Sequence, residues 1–334
     1  MTSKTWDIGN KLIVGRDGMG TLYVKGDGKV LSTWGTIAYN TGSNGTVNVT
    51  GKGSTWTNSY DLIVGDYATG TLNIENGGEV SGRIGIVGYH TGSNGTVNVI
   101  GQYSTWTNHN DLFVGGGDYE GNSNGTGTLN IKGGGKASGR VSTIGYGVNS
   151  KGTVNVTGKG STWTNRDLNV GYAGTGTLNI ENAGLVTVTG NYTQGSRGTL
   201  SFALGELFAD TILDIVGNVD FASAIAGSVA FDFTDLVLSG EEDVFVGMTW
   251  GGTATGMRED LFSFGDWTDL NLTGWEMSAV YDLDDKRAGW QFTWVGVTPE
   301  LPIDPPSGTP EPATLLMLGL GLGVIPFARR FRKK

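Results

Sequence analysis

Gly70-Thr71-Leu72-Asn73-Ile74 is followed, 25 residues on, by Gly95-Thr96-Val97-Asn98-Val99. In both stretches the aliphatic residues fall at every second position between glycines. That is the period of a strand with one buried face, in a run too short for a helix. Units of the same form start at Gly20, Gly45, Gly127, Gly152, Gly176 and Gly198, so the successive steps are 25, 25, 25, 32, 25, 24 and 22 residues. A repeat of ~25 residues with three short strands per turn predicts a solenoid, because one such rung cannot bury its own apolar face and stacking supplies the core. The expected fold class is all-β, a parallel β-helix.

Alternate units differ. The Gly-Thr-Val-Asn-Val units lead to Ser-Thr-Trp-Thr-Asn around Trp56, Trp106 and Trp163, whereas most Gly-Thr-Leu-Asn-Ile units lead to a glycine-rich stretch with a valine or alanine. The sequence period is therefore two rungs. One inward column is expected to hold Leu22, Val47, Leu72, Val97, Leu129, Val154, Leu178 and Leu200, and its neighbour Val24, Val49, Ile74, Val99, Ile131, Val156, Ile180 and Phe202. Burial is worth ~1.5–3 kcal/mol for each such side chain. Between the columns, on the outer face, come Asn48, Asn73, Asn98, Asn130, Asn155 and Asn179, read as an amide ladder bonded along the axis. The competing reading is a carbohydrate-binding stripe. Trp56, Trp106 and Trp163 likewise stand between two readings, platforms for sugar stacking or packing in the core and corners.

Composition agrees with a repetitive, folded chain. Of 334 residues 59 are glycine, 16% are charged and 37% are hydrophobic, which is too much apolar surface for a disordered segment. There is no cysteine, so neither a disulfide framework nor thiolate chemistry is available. Residues Gly116 to Gly125 account for the one lengthened rung, and their Gly, Asn, Asp, Glu and Ser content suits a solvated turn at least as well as a site. From Val186 to Val297 the strict spacing fades while strand-like runs persist, so an irregular continuation and a cap are expected to close the stack. Proline cannot donate a ladder hydrogen bond. No proline occurs before Pro299, and six then crowd into Pro299 to Pro312. The expected organisation is regular repeats over 1–202, an irregular β continuation and cap over 203–297, a proline-rich linker over 298–309 and a separate tail over 310–334.

The tail has three parts in order. Pro310-Glu311-Pro312 comes first, then the uncharged run Ala313 to Ala328, then the basic cluster Arg329, Arg330, Arg332, Lys333 and Lys334. A helix over those 16 apolar residues spans ~24 Å, and snorkelling basic ends extend its reach towards the ~30 Å of a bilayer core. A single C-terminal hydrophobic helix over 313–328 is therefore expected to cross the membrane. Positive residues stay cytoplasmic, which directs the β-body outward.

This three-part tail resembles the PEP-CTERM sorting signal of Gram-negative bacteria. The resemblance implies recognition by an exosortase near the Pro-Glu-Pro motif, with transient anchoring in the inner membrane. Release to, or attachment at, the cell surface follows, commonly in species that make exopolysaccharide. The repeats over 11–202 resemble those shared by PEP-CTERM proteins and autotransporter passengers, and that resemblance implies right-handed winding. Met1 to Asn10 holds no apolar signal-peptide core, while Trp6 precedes Trp56 by 50 residues. The chain thus begins within a repeat, and an upstream start with a signal peptide is expected.

Chemistry is sparse. The one repeated acidic column is Asp61, Asp111 and Asp167, on alternate rungs ~9.6 Å apart, with Ile84 and Val141 between. That separation is too wide for joint calcium ligands at ~2.4 Å each. Glu241-Glu242-Asp243 and Asp282, Asp284 and Asp285 read as exposed turns, and His90 and His109 lie in different rungs. No catalytic residue, metal ligand or cofactor site is expected. The whole chain carries −10 and the tail +4, which leaves −14 on residues 1–309 and argues against nucleic acid as a partner. The expected function is an exported structural or adhesive protein of the surface or extracellular matrix, with exopolysaccharide as a partner. The alternative is a carbohydrate-active enzyme or glycan-binding protein of β-helix fold.

Overall fold

The computed structural model describes residues 4–117, 123–203, 213–232, 244–256, 261–264, 275–282 and 287–294. They form a parallel β-solenoid whose rungs each contribute three strands to three ladders. The longest strands are Met19–Lys25, Asn44–Thr50, Thr69–Glu75, Asn94–Ile100, Thr126–Lys132, Lys151–Thr157, Thr175–Glu181 and Gly198–Ala203. Each begins on or one residue before the Gly-Thr pair of its repeat. Pairing is in register throughout, with Val97 opposite Leu72 and Leu129, and Asn98 opposite Asn73 and Asn130. No α-helix occurs among the described residues.

After each long strand up to Thr175–Glu181 the chain turns into a strand of four residues and then one of three, as in Thr55–Asn58 and Leu62–Val64, whereas Gly198–Ala203 is followed by Leu213–Ile215 and Val219–Asp220. In two rungs these run together as Lys136–Ile144 and Thr162–Val170. A corner follows the third strand, where Gly65 has φ +76°. A Cβ on Gly70, the glycine of the next Gly-Thr pair, would lie 2.3 Å from the backbone nitrogen of Gly65. Two glycines five residues apart thus let the corner fold back against the strand it feeds. The repeat's glycines are a requirement of this turn and not a mark of disorder.

Both expected inward columns are buried, apart from half-buried Leu22 at one end. The second ladder explains the two-rung period. Its inward positions run Val30, Trp56, Val80, Trp106, Ala137, Trp163 and Val186, large against small. The third ladder answers with Leu12, Gly35, Leu62, Gly85, Leu112, Ser142 and Leu168. From Val30 to Trp163 a rung that brings tryptophan and leucine is therefore flanked by rungs that bring a small aliphatic side chain and glycine or serine, and the alternation ends where Leu168 meets the buried Tyr192. Close packing forbids voids and overlaps alike, so the volume is shared between rungs and the unit of sequence is two.

The first described strands, Thr5–Asp7 and Leu12–Val14, pair with the second and third strands of the following rung. Parallel pairing continues beyond residue 202, through Val229–Asp232 to Phe262–Phe264. Arg287–Trp294 pairs antiparallel with both Val244–Trp250 and Trp275–Asp282. The linker and tail fall in a separate unit, Val297–Lys334, and lie outside the described residues.

Candidate functional site

The turn between the second and third strands carries an exposed cluster of aromatic and charged side chains. Trp34, Tyr60 and Arg83 occupy this turn in three consecutive rungs. The Tyr60 N–H donates to Thr33 O at 2.8 Å, and the Arg83 N–H donates to Tyr60 O at 2.7 Å. Their side chains point away from the core. Trp34 and Tyr60 stack with ring centroids 4.6 Å apart and planes 12° from parallel. They remain 42% and 44% exposed. The Arg83 guanidinium carbon lies 5.8 Å from the Tyr60 ring centroid. Asp61 fixes that guanidinium with two contacts, Nε to Oδ1 at 3.2 Å and Nη2 to Oδ2 at 3.3 Å.

The acidic column expected from the sequence is present and is lined with arginine. Asp111 faces Arg140 at 3.7 Å, and Asp167 faces Arg166 at 2.6 Å. Burial works to raise the Asp167 pKa. The backbone N–H of Asn191, the Arg166 contact and the nearby Arg140 charge outweigh it, so the carboxyl titrates below its ordinary value. These carboxylates face arginine and backbone donors rather than one another. Arg83 and Arg140 escaped the sequence reading although Ser-Gly-Arg recurs at both places, because attention to one column leaves out the column beside it.

The structure corrects the sugar-platform reading of Trp56, Trp106 and Trp163. All three are 0% exposed, with no ring face open to solvent, because the second ladder points them into the core. Trp56 Nε1 donates to Ser32 Oγ at 3.0 Å. The same position before Trp106 and Trp163 is glycine, Gly82 and Gly139, and their indole nitrogens have no hydrogen-bond partner. The asparagine column is a bonded ladder. Each Nδ2 donates to the Oδ1 one rung back at 2.7–2.8 Å, from Asn179 through Asn155, Asn130, Asn98 and Asn73 to Asn48.

His90 lies in a second cluster at the corner after the third strand. Its Nδ1 is 2.9 Å from Asp66 Oδ1, and its ring stacks on Tyr67 at 3.8 Å and packs against Tyr89 at 3.9 Å. Gly117 comes close to this cluster, for a Cβ there would be 3.1 Å from the Tyr89 ring. His109 is exposed on another rung. Among the described residues no group of three or more His, Asp or Glu is placed to hold a metal ion. Glu241-Glu242-Asp243, Asp284 and Asp285 lie outside those residues.

The body is thus a parallel β-solenoid with its repeated charges paired along one ridge. The tail supplies the address. Residues 309–333 match the PEP-CTERM protein-sorting motif, a span that takes in Pro310, Glu311, Pro312 and the basic cluster as far as Lys333. No curated protein matches the chain. The match supports an exported protein that is anchored at the membrane, processed by an exosortase and delivered to the cell surface. No helix among the described residues is long and apolar enough to cross a membrane, and the apolar run 313–328 lies outside them.

Proposed function

We propose that this chain is a structural or adhesive protein of the extracellular matrix, with the solenoid as payload, the C-terminal segment as transient inner-membrane anchor, and no catalytic activity. The observation that carries the reading is the conjunction of the sorting motif over 309–333 with a body built from one repeated, internally bonded rung. A stack of this kind repeats the same side chains at a fixed spacing along its faces, which suits a scaffold or adhesin. Pairing of Asp61 and Asp167 with arginine accounts for the acidic column without invoking hydrolysis. The parallel stack winds to the right in this reading. The antiparallel pairing of Arg287–Trp294 covers the edge of Val244–Trp250 and ends the parallel addition of strands to that ladder.

The test is to express the chain with its natural upstream region in a host that has an exosortase, beside a variant with Pro310, Glu311 and Pro312 all changed to alanine. The parent is expected in the surface and matrix fraction. The variant is expected in the inner-membrane fraction, with its tail intact. Equal distribution of both proteins refutes the sorting part of the proposal. A parent found only in the soluble periplasm refutes the matrix role.

A further inference from the structure

We propose that Tyr146 and Tyr172 form a site of oxidative cross-linking, at which a one-electron oxidant joins their two rings in a dityrosine bond within one solenoid. The site is independent of the matrix reading and of the route of delivery. Ile144 and Val170 are register partners in neighbouring rungs, and each tyrosine follows two residues later through a glycine of positive φ, Gly145 at +73° and Gly171 at +72°. Equivalent corners thus set two identical side chains one strand spacing apart, ~4.8 Å. Their ring centroids are 5.3 Å apart and the planes 10° from parallel. Phe113 packs edge-on against Tyr146 at 5.2 Å, so that half-buried ring is held by its neighbours. Tyr172 is 63% exposed, open to an oxidant and able to swing towards its partner. Exposure alone does not define the site, for Tyr23 is also 63% exposed but has Asn48 in register with it on the following rung. A radical on Tyr23 must meet another molecule, whereas at Tyr146 and Tyr172 the fold supplies the encounter and makes the coupling effectively unimolecular.

The chemistry closes on itself. Each phenol gives up one electron and its hydroxyl proton, which leaves two phenoxyl radicals. Their unpaired density reaches the ring carbons ortho to oxygen, and a carbon–carbon bond forms between one ortho carbon of each ring. The hydrogen on each of those carbons then leaves as a proton while the oxygen regains one, and both rings become aromatic again. The protein has lost two electrons and two protons. Hydrogen peroxide, the oxidant proposed, accepts them through a haem peroxidase and is reduced to two waters. The new bond ties one rung to the next and restricts the unfolded chain, as a disulfide does in other exported proteins and cannot do in a chain without cysteine.

The test treats the purified full chain, at low concentration, with hydrogen peroxide and a haem peroxidase, beside Tyr146→Phe, Tyr172→Phe and Tyr23→Phe. Far-UV circular dichroism verifies that each variant is folded, and gel filtration in denaturant isolates the monomer. The parent monomer is expected to gain dityrosine fluorescence and to lose two hydrogen atoms in intact mass. Trypsin should release Val141–Lys151 joined to Asp167–Arg197, with fragmentation placing the bond on Tyr172 and not on the buried Tyr192. Tyr146→Phe and Tyr172→Phe should each lose the monomer's signal, and Tyr23→Phe should keep it. The oxidised parent should unfold at higher urea than the untreated parent, with no such shift in Tyr172→Phe. A parent monomer without the joined peptides, or undiminished monomer fluorescence in Tyr172→Phe, overturns the proposal.

Discussion

Trp56 reaches over Gly35 of the preceding rung so closely that a Cβ on Gly35 would lie 2.6 Å from Trp56 Cζ2. It would also lie 2.8 Å from Leu62 Cδ1, and Gly85 stands in the same relation to Trp106 at 2.7 Å. Gly35→Ala is therefore expected to destabilise the body by ~1–3 kcal/mol through overpacking, and Trp56→Ala by ~3–5 kcal/mol through cavity formation. The two effects are coupled, so Gly35→Ala should cost less in a Trp56→Ala background, the remaining cost coming from Asn58 Oδ1 at 2.6 Å and Leu62 Cδ1. Urea denaturation followed by circular dichroism reads the difference. An equal cost in both backgrounds would contradict the packing described.

A missing hydroxyl distinguishes one tryptophan from the next. Trp56 Nε1 bonds to Ser32, whereas Gly82 stands in that place before Trp106, whose indole nitrogen has no partner. Gly82→Ser should give Trp106 an acceptor and raise stability by about 1 kcal/mol. The new Cβ would lie 3.2 Å from Tyr60 O, so a small backbone adjustment accompanies the gain. Ser32→Gly should lower stability by a similar amount. A Gly82→Ser protein that melts below the parent would show that the site cannot make that adjustment.

In the asparagine ladder, Asn98 both donates to Asn73 and accepts from Asn130, while Asn179 at the end only donates to Asn155. With ~1 kcal/mol for each net hydrogen bond, Asn98→Ala should cost about twice as much as Asn179→Ala. Hydrogen exchange should report the loss first in the rungs around the substitution, because each repeat couples mainly to its neighbours. Equal costs at both positions would count against a connected ladder.

Asp167 supplies a pH dependence of known sign. Its folded pKa is depressed, so its contribution is complete above the unfolded value near 3.8 and disappears as pH falls through the lower folded value. Acid titration of the parent should therefore show a loss of stability below about pH 4 that is smaller in Asp167→Asn. Identical acid profiles would remove Asp167 from that account.

The rung, its period and its two aliphatic columns were legible because identical residues must stack on identical residues, and strand spacing then fixes their distance. The asparagine ladder was legible for the same reason. The side of the sheet on which tryptophan falls was harder to read. Thr55-Trp56-Thr57 alternates like any half-buried strand, and only the glycine and valine opposite, distant in sequence, show that the indole goes inward. Trp34 and Tyr60 were illegible as a pair, since they are 26 residues apart, differ in type and occur in turns that the repeat does not conserve in kind. The same holds for Asp66 with His90, brought together by the stacking of two corners.

Intact-mass analysis of the protein recovered from the surface of exosortase-bearing cells tests the central claim most directly. The account predicts a body that has lost the apolar run 313–328 and the basic residues beyond it, ending near Pro310-Glu311-Pro312. Surface protein that still carries its C-terminal Lys334 would contradict it.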